Sequence, residues 1–235
     1  MTITPTTHVV DIVTTAPATI AVFQRHQIEF CCAGRVPLEE VCVHEGLDLD
    51  SLIDELTAAT KPFAETRDWH EAPIAELVEH IQSAYHRPLY EELPRLRAML
   101  AKVVARHGHR LPDTLLPLQE VFAVLERDLV FHMRREDAIL FPAILRVAET
   151  PGQADGDPHP LQAPITAMER DHDQVDRAIA GIRALTSGYQ PPDDACPTFR
   201  GLYYGLFDLE HRMRLHVQLE NDVLFPRALA RGQAL

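Results

Sequence analysis

Histidine and glutamate recur at the same spacing in two similar segments. His132 and Glu136 stand four residues apart shortly before Ile-Leu-Phe-Pro, and His216 and Glu220 stand four residues apart shortly before Val-Leu-Phe-Pro. Residues four apart on a helix lie nearly above one another, about 6 Å along the axis, so that both side chains reach one point. One such pair is more often a surface His–Glu contact, but two copies favour a metal site.

The positions of these residues within the helical pattern strengthen the metal interpretation. Apolar residues recur every three or four positions along four long segments, as in the buried stripe of a packed helix. In the second segment the predicted inward positions are Leu118, Phe122, Leu125, Leu129, His132, Glu136, Ile139 and Ala143. Corresponding stripes contain His86 in the first segment, His172 in the third, and His216 and Glu220 in the fourth.

The arrangement is an internal repeat of a helical hairpin. His132 and His216 lie 84 residues apart, and His86 and His172 lie 86 residues apart. Burying a carboxylate without a counter-charge costs free energy, and two carboxylates close together repel each other. Cations beside the carboxylates would offset both the burial cost and the repulsion. Four imidazoles and two carboxylates can hold two divalent ions, with Glu136 and Glu220 placed to bridge them. These ligand types favour Fe, Mn or Zn over Ca or Mg. Two irons fit best, although spacing alone does not exclude zinc.

Proline and glycine punctuation divides the chain into two predicted domains. Residues 1–62 carry three short helical patterns and the cysteine pair, and residues 70–235 carry the long helices. The predicted fold class is therefore all-α, a small helical domain followed by an antiparallel four-helix bundle. The long helices are predicted at about 73–106, 113–149, 164–186 and 197–231. Pro88 is expected to kink the first helix, where the apolar stripe slips by one residue, and it could displace His86.

Composition excludes several classes of protein. The chain has 235 residues, a formal net charge of −13 and 13 histidines. The negative balance argues against a sequence-independent nucleic-acid binder, and no apolar run is long enough for a membrane helix. The first residues carry no basic and apolar secretory signal, and four scattered cysteines make no disulfide framework. We therefore expect a cytoplasmic protein with no membrane or nucleic-acid partner.

The adjacent thiols of Cys31 and Cys32 are the other chemically notable feature. They could be redox-active, nitrosated or metal-binding, or they could be small buried residues that pack a miniature core. Cys42 and Cys196 are expected to be packing or surface residues. The remaining histidines fall off the inward stripes and are predicted to be mostly solvated or capping groups: His8, His26, His44, His70, His80, His107, His109, His159 and His211.

The two repeated motifs resemble the signature of a hemerythrin-like domain. The N-terminal part resembles the short cysteine-pair domain that precedes such a bundle in the Repair of Iron Centres family of iron–sulfur cluster repair di-iron proteins. The matching residues are Val9-Val-Asp-Ile-Val, then Phe23-x-x-His26-x-Ile28-x-Phe30-Cys31-Cys32-x-Gly34, then Gly46-Leu-Asp-Leu-Asp50. The resemblance covers nearly the whole chain.

The resemblance implies a ligand set and a function. The family's iron ligands fall on His86, His132, Glu136, His172, His216 and Glu220, with the two glutamates bridging an oxo-bridged pair of iron ions. It implies a homodimeric cytoplasmic stress protein that repairs iron–sulfur clusters damaged by nitric oxide or oxidants. The repair would proceed by iron donation, by nitric oxide removal of a reductase type, or by both. Its partners would be damaged iron–sulfur proteins, with nitric oxide or O2 as small ligands.

Two other functions remain open from the residues. A hemerythrin-like oxygen or redox sensor, or an oxygen carrier, would use the same centre; in the sensor, ligation would move the N-terminal domain. A helical phosphohydrolase would use His172 and Asp173, but Asp173 is predicted to point away from the stripe that carries His172.

Overall fold

The computed structural model describes residues 2–30, 36–61, 63–149 and 160–232. These residues form helices joined by turns, with an isolated antiparallel bridge between His8 and Pro37, so the predicted all-α class is confirmed. Within this part of the chain, no helix combines the length and hydropathy that crossing a bilayer requires.

The N-terminal part is a cluster of short helices. α4 begins at the Asp48 carboxylate, which accepts a 2.8 Å hydrogen bond from the Ser51 backbone N–H. The sequence pattern predicted α2, α3 and α4 but not α1, whose seven residues show too little periodicity. The four helices are α1 Val9–Thr15, α2 Ile20–Arg25, α3 Leu38–Glu45 and α4 Leu49–Ala59, with a 3₁₀ turn at Pro17–Thr19.

Four long helices follow and form the bundle, within two residues of the predicted bounds. Three of them contain one π-helical turn each, and the third helix is continuous. The first is α5 Ile74–Ile81, a π turn Gln82–His86 and α6 Arg87–His107; the second is α7 Pro112–Arg135, a π turn Glu136–Leu140 and α8 Phe141–Glu149. The third is α9 Gln162–Leu185, and the fourth is α10 Pro197–Gln218, a π turn Leu219–Leu224 and α11 Phe225–Gly232.

A proline follows each π turn by two positions: Pro88, Pro142 and Pro226. Proline has no N–H for the bond to the fourth preceding carbonyl and its ring clashes with that group. A π turn widens the helix at that carbonyl and inserts one extra residue. The slip in the first helix therefore has its cause in a π turn directly before Pro88.

The second π turn shifts both predicted inward positions that follow Glu136, since Ala143 is half-buried and its neighbour Ile144 is 0% exposed. Ile139 is 64% exposed and Leu140 is 1% exposed, because the extra residue rotates the helix beyond Glu136 by about one position. The prediction for Ile139 was wrong because a regular helical period was extended through an irregular turn.

The N-terminal part packs on the bundle through a continuous apolar core. Ile20 of α2 enters a notch in α10, where its Cδ1 atom lies 2.3 Å from the point that a Cβ of Gly201 would occupy. Beside this contact, the Arg95 guanidinium donates a 2.8 Å hydrogen bond to the Gln24 side-chain oxygen. Gly201 therefore allows the close approach of the two parts.

We predict that Gly201→Val destabilises the folded chain, since two methyl groups and a Cβ would fill the space of the Ile20 side chain. Overpacking of this kind costs about 1–3 kcal/mol in the free energy of unfolding. The matched control is Gly181→Val, because a Cβ at Gly181 meets no atom within 4 Å. Denaturant unfolding of both variants checks the prediction, and equal stability of the two would contradict it.

Candidate metal centre

The structure brings the six predicted ligands together in the middle of the bundle. Each of the four long helices contributes at least one, and three of them lie in π turns, a feature that is frequent at functional sites. All six side chains are buried, with exposed fractions between 0% and 2%: His86, His132, Glu136, His172, His216 and Glu220.

One pair of histidines comes from the first and fourth helices. His86 Nε2 lies 3.1 Å from His216 Nε2. Glu136 Oε2 is 3.5 Å from His86 Nε2, and Glu220 Oε1 is 3.0 Å from His216 Nε2. Pro88 has therefore not displaced His86, because the π turn before the proline keeps the imidazole in the site.

The other pair comes from the second and third helices. His132 Nε2 lies 3.1 Å from His172 Nε2. Glu136 Oε1 is 3.2 Å from His132 Nε2, and Glu220 Oε2 is 3.1 Å from His172 Nε2. Each carboxylate thus directs one oxygen to each histidine pair, which is the arrangement of a bridging ligand.

The donor atoms form two groups that fit a pair of metal ions. In each group, two histidines and both glutamates offer atoms that lie within 4.8 Å of one another. Ligands about 2.1 Å from an ion and at right angles to each other lie about 3 Å apart, as the facing Nε2 atoms do. Both oxygens of Glu136 are buried without a hydrogen-bond donor among the described residues. One cation at each histidine pair would lie beside one of these two oxygens and balance its charge.

The pKa shifts of His132 and Glu220 also indicate that the site favours positive charge. Burial by itself lowers the pKa of His132, but the adjacent negative charge of Glu136 outweighs burial and raises it to about 9. Burial likewise raises the pKa of Glu220, yet the neighbouring His216 and His172 hold it well below its ordinary value. Both effects show that the site stabilises positive charge beside its carboxylates.

Residues that directly follow the two glutamates support two of the histidines. Nδ1–H of His86 donates a 2.8 Å hydrogen bond to the Asp137 carboxylate, and Nδ1–H of His172 donates a 3.0 Å bond to the Asn221 side-chain oxygen. Such bonds fix the tautomer in which Nε2 carries the lone pair that binds a metal. The sequence reasoning missed both residues, although their separation of 84 residues repeats that of the two glutamates.

Tyr85 and Asp171, which directly precede His86 and His172, also contact the site. Tyr85 is 1% exposed and stacks on His216, with ring centroids 5.3 Å apart. Asp171 lies with its carboxylate 3.6 Å from His132 Nδ1 and receives a 3.0 Å hydrogen bond from Arg135. Asp171 is thus next to His132, a proposed ligand on the neighbouring helix.

A segment between the two parts of the chain lies beside this site. The carboxylate of Glu65 accepts hydrogen bonds from the Tyr85 hydroxyl at 3.1 Å, from Trp69 Nε1 at 3.0 Å and from His80 Nε2 at 2.6 Å. His80 also stacks on Trp69, so the prediction of a solvated His80 was wrong. The segment holds Tyr85 against His216.

The other candidates are placed outside the metal centre or outside the described residues. Asp173 is exposed, as predicted, so it does not join His172 in a phosphohydrolase site. Cys42 is buried and Cys196 is half-buried. Cys31 and Cys32 lie outside the described residues, as does His159.

Four further histidines are distributed between surface and partly buried positions. His44 and His70 have side chains that are 83% and 69% exposed, as predicted for solvated groups. Nε2–H of His211 instead donates a 2.8 Å hydrogen bond to the Phe63 carbonyl. His26 lies 3.1 Å from the Glu55 carboxylate. Neither of these two points into the metal centre.

Comparison with known protein families gives two matches. Residues 77–228 match the hemerythrin HHE cation binding domain, and residues 6–60 match a domain of unknown function, DUF542 or ScdA_N. The chain is also similar to proteins named iron-sulfur cluster repair protein YtfE. It is 36% identical to that of Cronobacter sakazakii over 216 residues, which cover 92% of this chain and 93% of the relative. It is 36% identical to that of Dickeya chrysanthemi over 220 residues, 93% of this chain and 94% of the relative.

The shared carboxylates predict unequal effects of single substitutions on metal content. His172→Ala removes a ligand from one group only, so the variant should keep about one ion per chain. Glu136→Ala removes a ligand from both groups and should leave clearly less than one. Elemental analysis of the purified proteins measures this difference.

Glu126→Gln is the matched control, because Glu126 is a buried glutamate on α7 whose carboxylate pairs with Arg97 at 3.1 Å. It should keep the metal content of the unaltered chain. Equal losses in His172→Ala and Glu136→Ala would contradict bridging by Glu136.

Proposed function

We propose that this chain, which belongs to the hemerythrin HHE family and to the family of iron–sulfur cluster repair proteins, binds two iron ions. We propose further that it repairs iron–sulfur clusters damaged by nitrosative or oxidative stress. The observation that carries the proposal is the pair of buried donor groups that share Glu136 and Glu220. The names of the relatives support the repair function.

The chain's own residues have separate roles in this proposal. His86 and His216 would hold one ion, and His132 and His172 would hold the other, while the two glutamates bridge them. Imidazole and carboxylate ligands suit iron and leave it able to change between ferrous and ferric states. When bound, the iron pair supplies electron transfer, a coordination position for a diatomic ligand such as nitric oxide or O2, and iron for donation.

The protein around the ligands limits water access and fixes the imidazole rings. Phe141 stacks on His86 with ring centroids 5.5 Å apart, and Phe225 lies parallel to His172 at 6.1 Å. Both phenylalanines are 1% exposed. A water-poor pocket strengthens electrostatic interactions and helps a small uncharged ligand such as nitric oxide to compete with water.

Further parts of the proposal come from the family resemblance alone. Repair would proceed by iron donation, by nitric oxide removal, or by both, and the partners would be proteins with damaged clusters. A homodimer, a cytoplasmic location and an oxo bridge between the irons stay predictions. Cys31 and Cys32 are proposed as redox thiols that take part in repair.

The di-iron proposal predicts about two iron ions per chain after expression with ample iron, and fewer than about one would contradict it. The reduced protein is then incubated with an enzyme whose cluster has been damaged by nitric oxide. Enzyme activity should recover beyond the level given by the same amount of free ferrous iron. The doubly substituted chain Glu136→Ala, Glu220→Ala is the control and should add nothing to free iron. Recovery that never exceeds free iron would contradict repair and favour the sensor.

The proposed role of the cysteine pair predicts that Cys31→Ser, Cys32→Ser slows repair without changing iron content or the visible absorption of the iron centre. Cys196→Ser is the matched control, because Cys196 is a half-buried thiol that lines the same cavity as Phe30 and so shows whether loss of a neighbouring thiol alone slows repair. Repair is measured as recovered enzyme activity per unit time. A rate equal to that of the unaltered chain would show that the pair only packs.

A further inference from the structure

The two metal positions differ in the residues behind their histidines, although the hairpins that build them are repeats. We propose that the position formed by His132 and His172 exchanges its ion, whereas the position formed by His86 and His216 retains its ion. This inference rests on the proposed function, because it assigns the donated iron to one of the two histidine pairs.

The first difference lies at the residue after each bridging glutamate. Asp137 and Asn221 occupy equivalent places in the two hairpins, and each accepts the Nδ1–H of a histidine. A carboxylate is a stronger, charged acceptor and makes the imidazole a better electron donor to a metal than a neutral amide does. His86 therefore binds an ion more strongly than His172.

The Asp137 carboxylate is itself held in place. Gln82 Nε2 donates a 3.0 Å hydrogen bond to the oxygen that also accepts from His86. Among the residues that the structure describes, no Lys or Arg side chain forms an ion pair with the Asp137 carboxylate, whose other oxygen accepts a 3.5 Å hydrogen bond from the Tyr90 hydroxyl. Its charge acts on the position that contains His86, although solvent screens part of it because the side chain is 29% exposed.

The remaining histidine of each pair does not cancel this difference. Nδ1 of both His132 and His216 lacks a hydrogen-bond partner among the described residues. Asp171 is near His132, but the 3.6 Å separation is too long for a hydrogen bond, and the Asp171 carboxylate is shared with Arg135 in a 3.0 Å ion pair. The position formed by His132 and His172 consequently has no unpaired carboxylate behind it.

The second difference concerns access. Tyr85 and Asp171 occupy equivalent places, 86 residues apart, just before His86 and His172. Tyr85 covers His216 with a buried ring, whereas Asp171 and Arg135 are about one-third exposed. A surface cavity of about 430 Å³ between α7 and α9 is lined by these two residues, Phe131 and His132. The imidazole of His132 therefore lies between this cavity and an ion bound at its Nε2, so that a chelating partner in the cavity is one side chain away from the ion.

Release of iron to a chelator tests the inference without a repair assay. The chain is loaded with ferrous iron under anaerobic conditions and mixed with excess 2,2′-bipyridyl, whose ferrous complex is followed by its absorbance. We expect two phases of equal amplitude whose rates differ by at least about tenfold. Loss of a residue that hydrogen-bonds a metal ligand lowers metal affinity by about tenfold or more, and we expect the release rate to change by a similar factor. Release in one phase from a chain that held two ions would overturn the inference.

Exchanging the two acceptors identifies the positions. Asn221→Asp should slow the fast phase about tenfold and leave the slow phase unchanged, and Asp137→Asn should speed the slow phase by a similar factor. Both substitutions are nearly isosteric. Asp222→Asn is the matched control, because it changes the charge one residue away on an exposed side chain and should alter neither phase. An effect of Asp137→Asn on the fast phase alone would overturn the assignment.

Iron anomalous diffraction gives a direct second measurement. Crystals are treated with the chelator until half of the iron is lost. The remaining peak should lie between His86 and His216, and a remaining peak between His132 and His172 would overturn the inference. Failure of the proposed function is distinguishable, since it would appear before chelation as a chain that holds fewer than about one iron, or in the repair assay as recovery no greater than that with free iron.

Discussion

Two carboxylates buried at the centre of a helical bundle are the constraint on which the rest of this structure depends. Glu136 and Glu220 are fully buried, and each directs one oxygen to each of two histidine pairs. Buried anions are costly unless positive charge lies beside them. Two cations, each within reach of two histidines and both glutamates, would meet that requirement. The four long helices supply the donors at the required depth, and no single hairpin contains enough of them.

The hairpin repeat explains the near-symmetry of the centre, and its local differences make the two halves unequal. The offset of 84 residues relates the glutamates and their hydrogen-bonding neighbours Asp137 and Asn221, and the offset of 86 relates the residues Tyr85 and Asp171. A duplicated scaffold fixes where the ligands stand. The residue types beside the ligands then set how strongly each position binds and how well it is reached.

The π turns connect the fold to the site. Each precedes a proline, and together they contain His86 and both glutamates. In a regular α-helix, a proline at the same position would remove a backbone hydrogen bond, and its ring would clash with the carbonyl four residues earlier. The widened turn accommodates the ring and sets the direction of the ligand, so the same irregularity serves the backbone and the centre.

The sequence by itself determined the all-α class, the bounds of the long helices and the six candidate ligands, because those features follow from local periodicity and from polar residues in apolar stripes. Only the tertiary structure decided which histidines pair, since His86 meets His216 and His132 meets His172 across different helices. It also decided the register beyond Glu136, where Leu140 and not Ile139 faces inward. The contact of Ile20 with Gly201 likewise could not be predicted from the sequence. The physical reason is that these features depend on hydrogen bonds and contacts between residues distant in the chain, which a one-dimensional period does not contain.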